Sequence, residues 1–417
     1  MSVAEEVNRR GADPRPVQSH RLRTRAIEDP GRLIALLPRE QALAWVKDDE
    51  GLIGWGELAR LEAKGPDTFE QASRWWQEQL TEIVVSDEVG VPGTGPILFV
   101  SAAFDIRTGA SVFVIPRVVL GRSGCRTWLT APTEDRPLLA IEDVPTPGAI
   151  RYADGAQTAA AWTSTVAEAV TRLQAGDLDK VVLARDLMAT TDEPLDPRHL
   201  LRHLADRWTE CWTYELDGLV GATPELLLRR TGSHVTSRVL AGTAARAGQE
   251  QDAQVGRALL ASAKNQDEHR YAIASLAETL APFCTSLHVP KTPHLHTLPT
   301  LMHLATDVQG ELAGAPGLLS IIDAIHPTAA VCGTPRDVAI DLIAELEGMD
   351  RDRYAGPIGW MDAAGNGEFG IALRCAQVED RALRLFAGCG IVAGSDPEAE
   401  LAEAQVKMLA IRDALES

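Results

Sequence analysis

The chain has 417 residues, of which 45% are hydrophobic and 24% charged, and these proportions exclude a disordered or fibrous protein. Its 59 acidic residues outnumber its 40 basic ones, so the formal net charge of −19 gives no general support for binding to nucleic acid or an anionic membrane. The six cysteines form no C-x-x-C pair and no apolar run reaches membrane-spanning length, so we expect a cytoplasmic protein without disulfides or a zinc site.

The N-terminal part of the chain combines a polar segment with short segments that have helix or strand periodicity. Residues 1–20 contain two adjacent arginines without a following apolar stretch, so we expect a mobile N-terminus and no secretion signal. The segment Thr68–Ile83 is amphipathic and predicts a helix, whereas Ile97–Asp105 and Ala110–Leu120 predict strands. The stretch Ala131–Gly155 is rich in Pro, Asp and Thr and predicts a long connection.

Helix and strand patterns then alternate at irregular spacing. Helices are predicted at Ala159–Ala175, Ala253–Leu280 and Val338–Glu347, and from an N-cap signal at Ser395-Asp396-Pro397 toward the C-terminus. Strands are predicted at Lys180–Met188, Leu226–Leu240, Gly356–Leu373 and Ala382–Val392, with a hairpin turn around Asn366-Gly367. This order is not the regular βαβ alternation of a doubly wound fold, so the sequence predicts an α+β architecture with large, mostly antiparallel sheets.

Two of the predicted helices carry carboxylates. Glu268 stands beside His269 in the first, and Glu400, Glu403 and Lys407 fall on one face of the second at i, i+3 and i+7. Hard Mg²⁺ prefers carboxylates from one or two protein groups, completed by substrate oxygens and water, and two facing helices can supply them. By spacing alone, a solvated acidic face is the better interpretation.

Shorter motifs each allow a structural and a functional interpretation. The glycine-rich run Ala387–Gly394 precedes an acidic helix, so it favours a close approach to a ligand, or a plain turn, over a nucleotide loop. Lys180 begins an apolar strand, where lysine is usually an edge residue, but in a pocket it could act as a base. Glu225, if buried, would stay protonated and could act as an acid. His303 and His326 are each either a proton donor or a satisfied core histidine.

Seven motifs between Asp179 and Lys407 stand in a fixed order: DKVVLAR, GATPELL, LAGTAARAG, LLASAKNQDEH, HPTAAVCGTP, YAGPIGWMDAAGNGEFGIALRC and RLFAGCGIVAGSDPEAELAEAQVK. Together they resemble the chorismate-binding family, which includes isochorismate synthases, salicylate synthases and the large chains of anthranilate and aminodeoxychorismate synthases. The resemblance covers more than half of the chain and is thin before residue 150. It implies one catalytic domain over residues 21–417, with core motifs in 159–417 and two large, mostly antiparallel sheets packed between helices.

The resemblance also implies a magnesium site. Glu268 and Glu400 match the family's magnesium-binding glutamates, and Glu403 matches a supporting carboxylate. Asn265 stands where some relatives have Glu or Asp, so the metal shell is expected to be one carboxylate poorer. The bound Mg²⁺ would hold the ring carboxylate of chorismate.

The remaining matches imply an isomerisation of chorismate to isochorismate by water addition. Lys180 matches the residue that activates water, and Glu225 matches the acid that protonates the departing ring hydroxyl. Tyr354 and Arg374 match residues that hold the enolpyruvyl carboxylate, for which a guanidinium is well shaped. The full set of implied substrate-binding residues is Gly242, Thr243, His303, Ala330, Tyr354, Leu373, Arg374, Gly388, Gly390 and Lys407.

Three alternatives stay open. A salicylate synthase would eliminate pyruvate from isochorismate; Ala330 argues against it because salicylate synthases tend to have threonine there, but Tyr354 and Leu373 are compatible with it. An ammonia-using synthase would dock a glutaminase subunit, which we do not expect because that branch lacks a lysine at position 180. A silent chorismate- or Mg²⁺-binding module is the third. By resemblance to the free-standing synthases we expect a monomer, and the downstream pathway, siderophore, menaquinone, salicylate or antibiotic, is open.

Overall fold

A computed structural model describes residues 20–417, so the predicted mobile segment 1–20 lies outside the described residues except for His20. The helices of the described part are α1 Thr68–Glu82, α2 Ala159–Ala175, α3 Pro197–Arg207, α4 Gln249–Ala261, α5 Ala263–Leu280, α6 Leu318–Ile325, α7 Arg336–Leu346 and α8 Pro397–Leu415. None of them is both long enough and apolar enough to cross a membrane.

The strands fall between these helices, mostly in runs of several strands. They are β1 His20–Ala26, β2 Leu43–Lys47, β3 Glu50–Ala63, β4 Ile83–Asp87, β5 Ile97–Ser101, β6 Ser111–Ser123, β7 Arg126–Pro132, β8 Ile150–Asp154, β9 Lys180–Thr191, β10 Trp212–Leu216, β11 Leu219–Thr223, β12 Leu226–Thr231, β13 His234–Ala245, β14 Cys284–His288, β15 His294–Thr297, β16 Leu301–Leu312, β17 Gly333–Thr334, β18 Pro357–Asp362, β19 Gly367–Ile371, β20 Cys375–Glu379 and β21 Ala382–Ile391.

Hydrogen bonds join the strands into one network with two arms that meet at the long strand β6. The first arm runs β6–β3–β2–β10–β11–β20–β21–β9, and the second runs β6–β5–β18–β19–β12–β13–β16. The pairings are antiparallel except for β1 with β4. The predicted α+β class with mostly antiparallel sheets is confirmed, and the two predicted sheets are continuous with each other because both pair with β6.

Apolar side chains of both arms share the main core. Trp45 and Leu183 come from the first arm, Leu228 and Val308 come from the second, and Phe113 comes from the shared strand. Helices α3 and α8 pack on β10, β11 and β21 of the first arm, and α4 and α5 pack on β13 and β16 of the second. This arrangement brings α5 and α8, the two carboxylate helices, to the same side of the molecule.

Several predicted boundaries were right and others need correction. Helix α2 has the predicted bounds, and α8 begins as predicted, with the Asp396 side chain accepting a hydrogen bond from the Ala399 amide. The prediction of one continuous helix over Ala253–Leu280 was wrong, because the chain is extended at Ser262, whose hydroxyl caps α5. The Leu226–Leu240 run is two strands, and β8 lies inside the predicted connection.

Candidate active site

A cavity lies where the two arms approach each other, and most of the sequence-predicted site residues line it. The predicted residues on its surface are Glu225, Thr243, Glu268, His303, Ala330, Tyr354, Leu373, Arg374, Gly388, Gly390 and Lys407. Lys180 and Glu403 stand directly behind this lining, Glu400 lies beside Glu403, and Gly242 adjoins Thr243.

Two connections between the arms carry charged side chains into the cavity. Glu225 lies between β11 of the first arm and β12 of the second, and Arg374 lies between β19 of the second arm and β20 of the first. Arg374 has a φ of +50°, an uncommon backbone conformation for a residue other than glycine. Such strain at a charged residue in a cavity is typical of a functional position.

Lys180 and Glu268 meet at a point where the neighbouring strand has no side chain. Lys180 is fully buried at the start of β9, and its Nζ lies 3.4 Å from Glu268 Oε1. A Cβ atom at Gly390 would stand 2.2 Å from the same Oε1 and 3.0 Å from Lys180 Cε. Gly390 therefore makes room for these two side chains, which is a more specific role than the predicted close approach to a ligand.

Each of the three predicted metal-binding glutamates faces a lysine, and we call this set the carboxylate wall: Glu268 with Lys180, Glu400 with Lys264, and Glu403 with Lys407. The ion pairs of Glu400 and Glu403 each measure 2.5 Å. Burial, and then the nearby Glu403 charge, raise the pKa of Glu400, whereas Lys407 holds the pKa of Glu403 below its ordinary value against the effect of burial.

The donor atoms of this wall fit a hard cation. Oxygens of Glu400 and Glu403 lie within 4.8 Å of each other and of Cys389 Sγ. Burial raises the pKa of the Cys389 thiol well above its ordinary value, and the thiol donates to the Glu400 carbonyl at 3.3 Å, so the two carboxylates are the better candidate ligands. Asn265, which replaces a family carboxylate, donates from its side chain to Ser262 Oγ at 2.9 Å. The remaining protein donors are carboxylate oxygens, which Mg²⁺ prefers together with water and substrate oxygens.

A second group of lining residues, which we call the recognition wall, consists of Glu225, His303 and Arg374. Burial raises the pKa of Glu225 to about 8, against the opposing charges of Lys180 and Arg374, so its carboxyl carries a proton at neutral pH. Arg374 is buried and has no carboxylate within 4 Å among residues 20–417, and its Nε has no hydrogen-bond partner there. A buried guanidinium without a counter-ion is costly unless a ligand anion supplies one.

Two residues at or next to the cavity lining could not be singled out from the sequence. Phe386, in the RLFAGCG motif, stacks behind the lining residue Tyr354 with ring centroids 4.9 Å apart. Arg351 donates to the carbonyls of Val182 and Val331 and pairs with the buried Glu347. Arg351 thus ties β9 to the loop that carries Ala330.

Two other features of the structure stay outside the site. His326 donates from Nε2 to the Phe104 carbonyl at 3.0 Å and is a core histidine, although its Nδ1 has no partner among the described residues. His269 is a core histidine with both ring nitrogens satisfied, by the Ala241 carbonyl and Thr306. A larger cavity of about 1660 Å³ is lined by Lys47, Trp212 and Arg229, among others. It holds none of the predicted site residues, so we assign the chemistry to the smaller cavity.

Similarity to known proteins agrees with the geometry. A family model described as "Chorismate binding enzyme" matches residues 38–416, which extends the family match well before residue 150, where the motif resemblance was thin. The "Salicylate biosynthesis isochorismate synthase" of Pseudomonas aeruginosa is 34% identical over 412 residues, covering 89% of this chain and 84% of that one. The isochorismate synthase DhbC of Bacillus subtilis is 41% identical over 255 residues, covering 58% of this chain and 64% of that one.

A solved structure shows the same fold over nearly the whole chain. The crystal structure of the putative 2,3-dihydroxybenzoate-specific isochorismate synthase DhbC of Bacillus anthracis superposes with a TM-score of 0.79 at 29% identity, covering 93% of this chain and 100% of that one. The family match spans far more than half of the chain, and it includes every residue of the cavity described above. The chain therefore belongs to the chorismate-binding enzyme family.

Proposed function

We propose that this chain is an isochorismate synthase, an isomerase that adds water at C2 of chorismate and expels the C4 hydroxyl. One observation carries the proposal: the buried amine of Lys180, without a hydrogen-bond partner in the described residues, stands directly behind the cavity lining, and its charge acts on the protonated carboxyl of Glu225, which lines the cavity. A base and an acid at one ligand are what this exchange of hydroxyl groups needs. The names of the relatives support the same activity.

The proton transfers follow from these two side chains. Lys180 Nζ accepts a proton from water as the water oxygen bonds to C2, and the ring double bonds shift toward C4. Glu225 gives its proton to the C4 hydroxyl, which leaves as water. Because burial holds the Glu225 pKa at about 8, the carboxyl is still protonated at the pH where it must donate.

Recognition of a dianion in a chain of net charge −19 requires local cations. Arg374 provides a planar guanidinium for the enolpyruvyl carboxylate, and Tyr354 contributes a hydroxyl on the same lining. Glu268, Glu400 and Glu403 would hold Mg²⁺, which supplies positive charge for the ring carboxylate and stabilises charge that accumulates there. Lys407, whose Nζ donates to the Gly388 carbonyl at 2.8 Å, adds a further cation.

The experiment is a chromatogram of the chorismate reaction with Mg²⁺, run with and without an added isochorismatase. We expect one product that the isochorismatase consumes, without release of pyruvate. Stoichiometric pyruvate together with salicylate would replace the proposal by a salicylate synthase. Product formation that depends on ammonium salts would indicate the ammonia-using branch, and unchanged chorismate would indicate a silent binding module.

A further inference from the structure

His303 lies between Arg374 of the recognition wall and Thr243 of β13, and it contacts both side chains. It lies on β16, directly opposite Thr243 of β13, and a bulge between Ala241 and Thr243 at Gly242 sets this pairing. Gly242 has a φ of +78°, which favours glycine there. His303 Nε2 is 3.1 Å from Arg374 Nη2, and His303 Nδ1 is 3.1 Å from Thr243 Oγ1.

The chemistry of these partners decides where the protons of the ring lie. A guanidinium carries only donors, so His303 Nε2 must accept from Arg374 and cannot hold a hydrogen. The single ring proton is therefore on Nδ1, where it is donated to Thr243 Oγ1. The Thr243 hydroxyl then has its own hydrogen left to donate, and it has no other partner in the described residues.

We propose that His303 is a positioning residue and not a proton donor: its neutral ring holds the Arg374 guanidinium through Nε2 and turns the Thr243 hydroxyl, through Nδ1–H, so that Thr243 donates to the substrate. The inference rests on the proposed function, because it concerns recognition of the same dianion. Neither ring nitrogen has a proton free to give to the cavity.

The surroundings of His303 favour the neutral ring. His303 is buried, and burial, together with the charges of Arg374 and Lys407 and the neighbouring His296, holds its pKa well below the ordinary value. No carboxylate forms an ion pair with it in the described part of the chain. A second ring proton would point at the guanidinium, so protonation would push Arg374 away from its place.

Two amide substitutions of His303 test the contacts of its two ring nitrogens separately. In His303→Gln the side-chain oxygen can reach the position of Nε2 and accept from Arg374, whereas in His303→Asn the amide can only replace Nδ1 and its contact with Thr243. The measurement is kcat and KM for chorismate across a pH series, with thermal melting as the check that each variant is folded. His303→Leu, which removes both contacts, completes the set.

We expect KM to rise about 10- to 100-fold in His303→Asn and His303→Leu, the range for one lost hydrogen bond to a charged group, and to rise much less in His303→Gln. The kcat value and the shape of the pH profile should stay close to those of the parent in His303→Gln. A kcat loss beyond about 100-fold in His303→Gln with unchanged KM, the range of a missing general acid, would overturn the inference. The proposed function is tested separately, by the product of the unmodified chain.

Discussion

The two walls of the cavity treat charge in opposite ways. On the carboxylate wall each glutamate has a lysine nitrogen within 3.4 Å. On the recognition wall Glu225 and Arg374 are buried without an ion pair among the described residues. Unpaired buried groups cost stability and gain most from a ligand that supplies their partners. This difference supports the proposal that the recognition wall holds chorismate, and the carboxylates of the other wall are the groups proposed to hold the metal.

The largest expected effect comes from removing either group that moves a proton. Lys180→Ala and Glu225→Gln should each lower kcat by about 10²- to 10⁴-fold, the usual contribution of a positioned acid or base. Steady-state kinetics with chorismate measures this loss. Glu215→Gln is the matched control, because Glu215 is equally buried and burial also raises its pKa to about 8, but it does not line the cavity. A similar loss in the control would remove the distinction between the two glutamates.

A smaller effect is expected from substitutions that distinguish the buried carboxylate of helix α8 from an exposed one. Glu400→Gln should raise the Mg²⁺ concentration for half-maximal activity by at least about tenfold, since it removes an oxygen ligand. Glu398, exposed on the same helix, supplies the control Glu398→Gln, which should leave that concentration unchanged. An unaltered Mg²⁺ requirement in Glu400→Gln would contradict the assignment of this wall to the metal.

The space beside Lys180 gives a third way to test the carboxylate wall. Gly390→Ala places a methyl group 2.2 Å from Glu268 Oε1, so the pair must shift, at a cost of about 1–3 kcal/mol, with loss of activity. Gly394→Ala is the control, since no atom lies within 4 Å of the added Cβ. Urea unfolding together with kcat measures both effects. Normal stability and activity in Gly390→Ala would show that this close packing is not needed.

The smallest expected effect is a difference in how the free energy of unfolding depends on pH. A carboxyl whose pKa is about 8 in the folded chain and 4.5 otherwise binds a proton only in the folded state between these values, so stability falls as pH rises from 4.5 to 8. Glu225→Gln and Glu215→Gln should each flatten this fall, measured by urea unfolding over the same range. Activity of the unmodified chain should decline above about pH 8, as Glu225 loses its proton. Equal slopes in all three chains would contradict the raised pKa values.

The sequence predicted the fold class and the residues of the site better than it predicted helix boundaries and the ion pairs between helices. Glu225, Arg374 and Tyr354 could be found because each stands in an ordered motif, and all three line the cavity. The break at Ser262 could not be found from helical periodicity, because apolar spacing continues through a cap. Lys264 was not singled out either, since its ion pair with Glu400 joins two helices far apart in the chain.

The most direct test of the whole proposal is to run the reaction in H₂¹⁸O with Mg²⁺ and to analyse the product by mass spectrometry. If Lys180 activates water that attacks C2 while Glu225 assists departure of the C4 hydroxyl, the isochorismate formed must carry one ¹⁸O atom at the new hydroxyl. Isochorismate without the label would mean that the hydroxyl moved within the substrate. A product labelled with nitrogen from added ammonium instead would contradict water as the nucleophile.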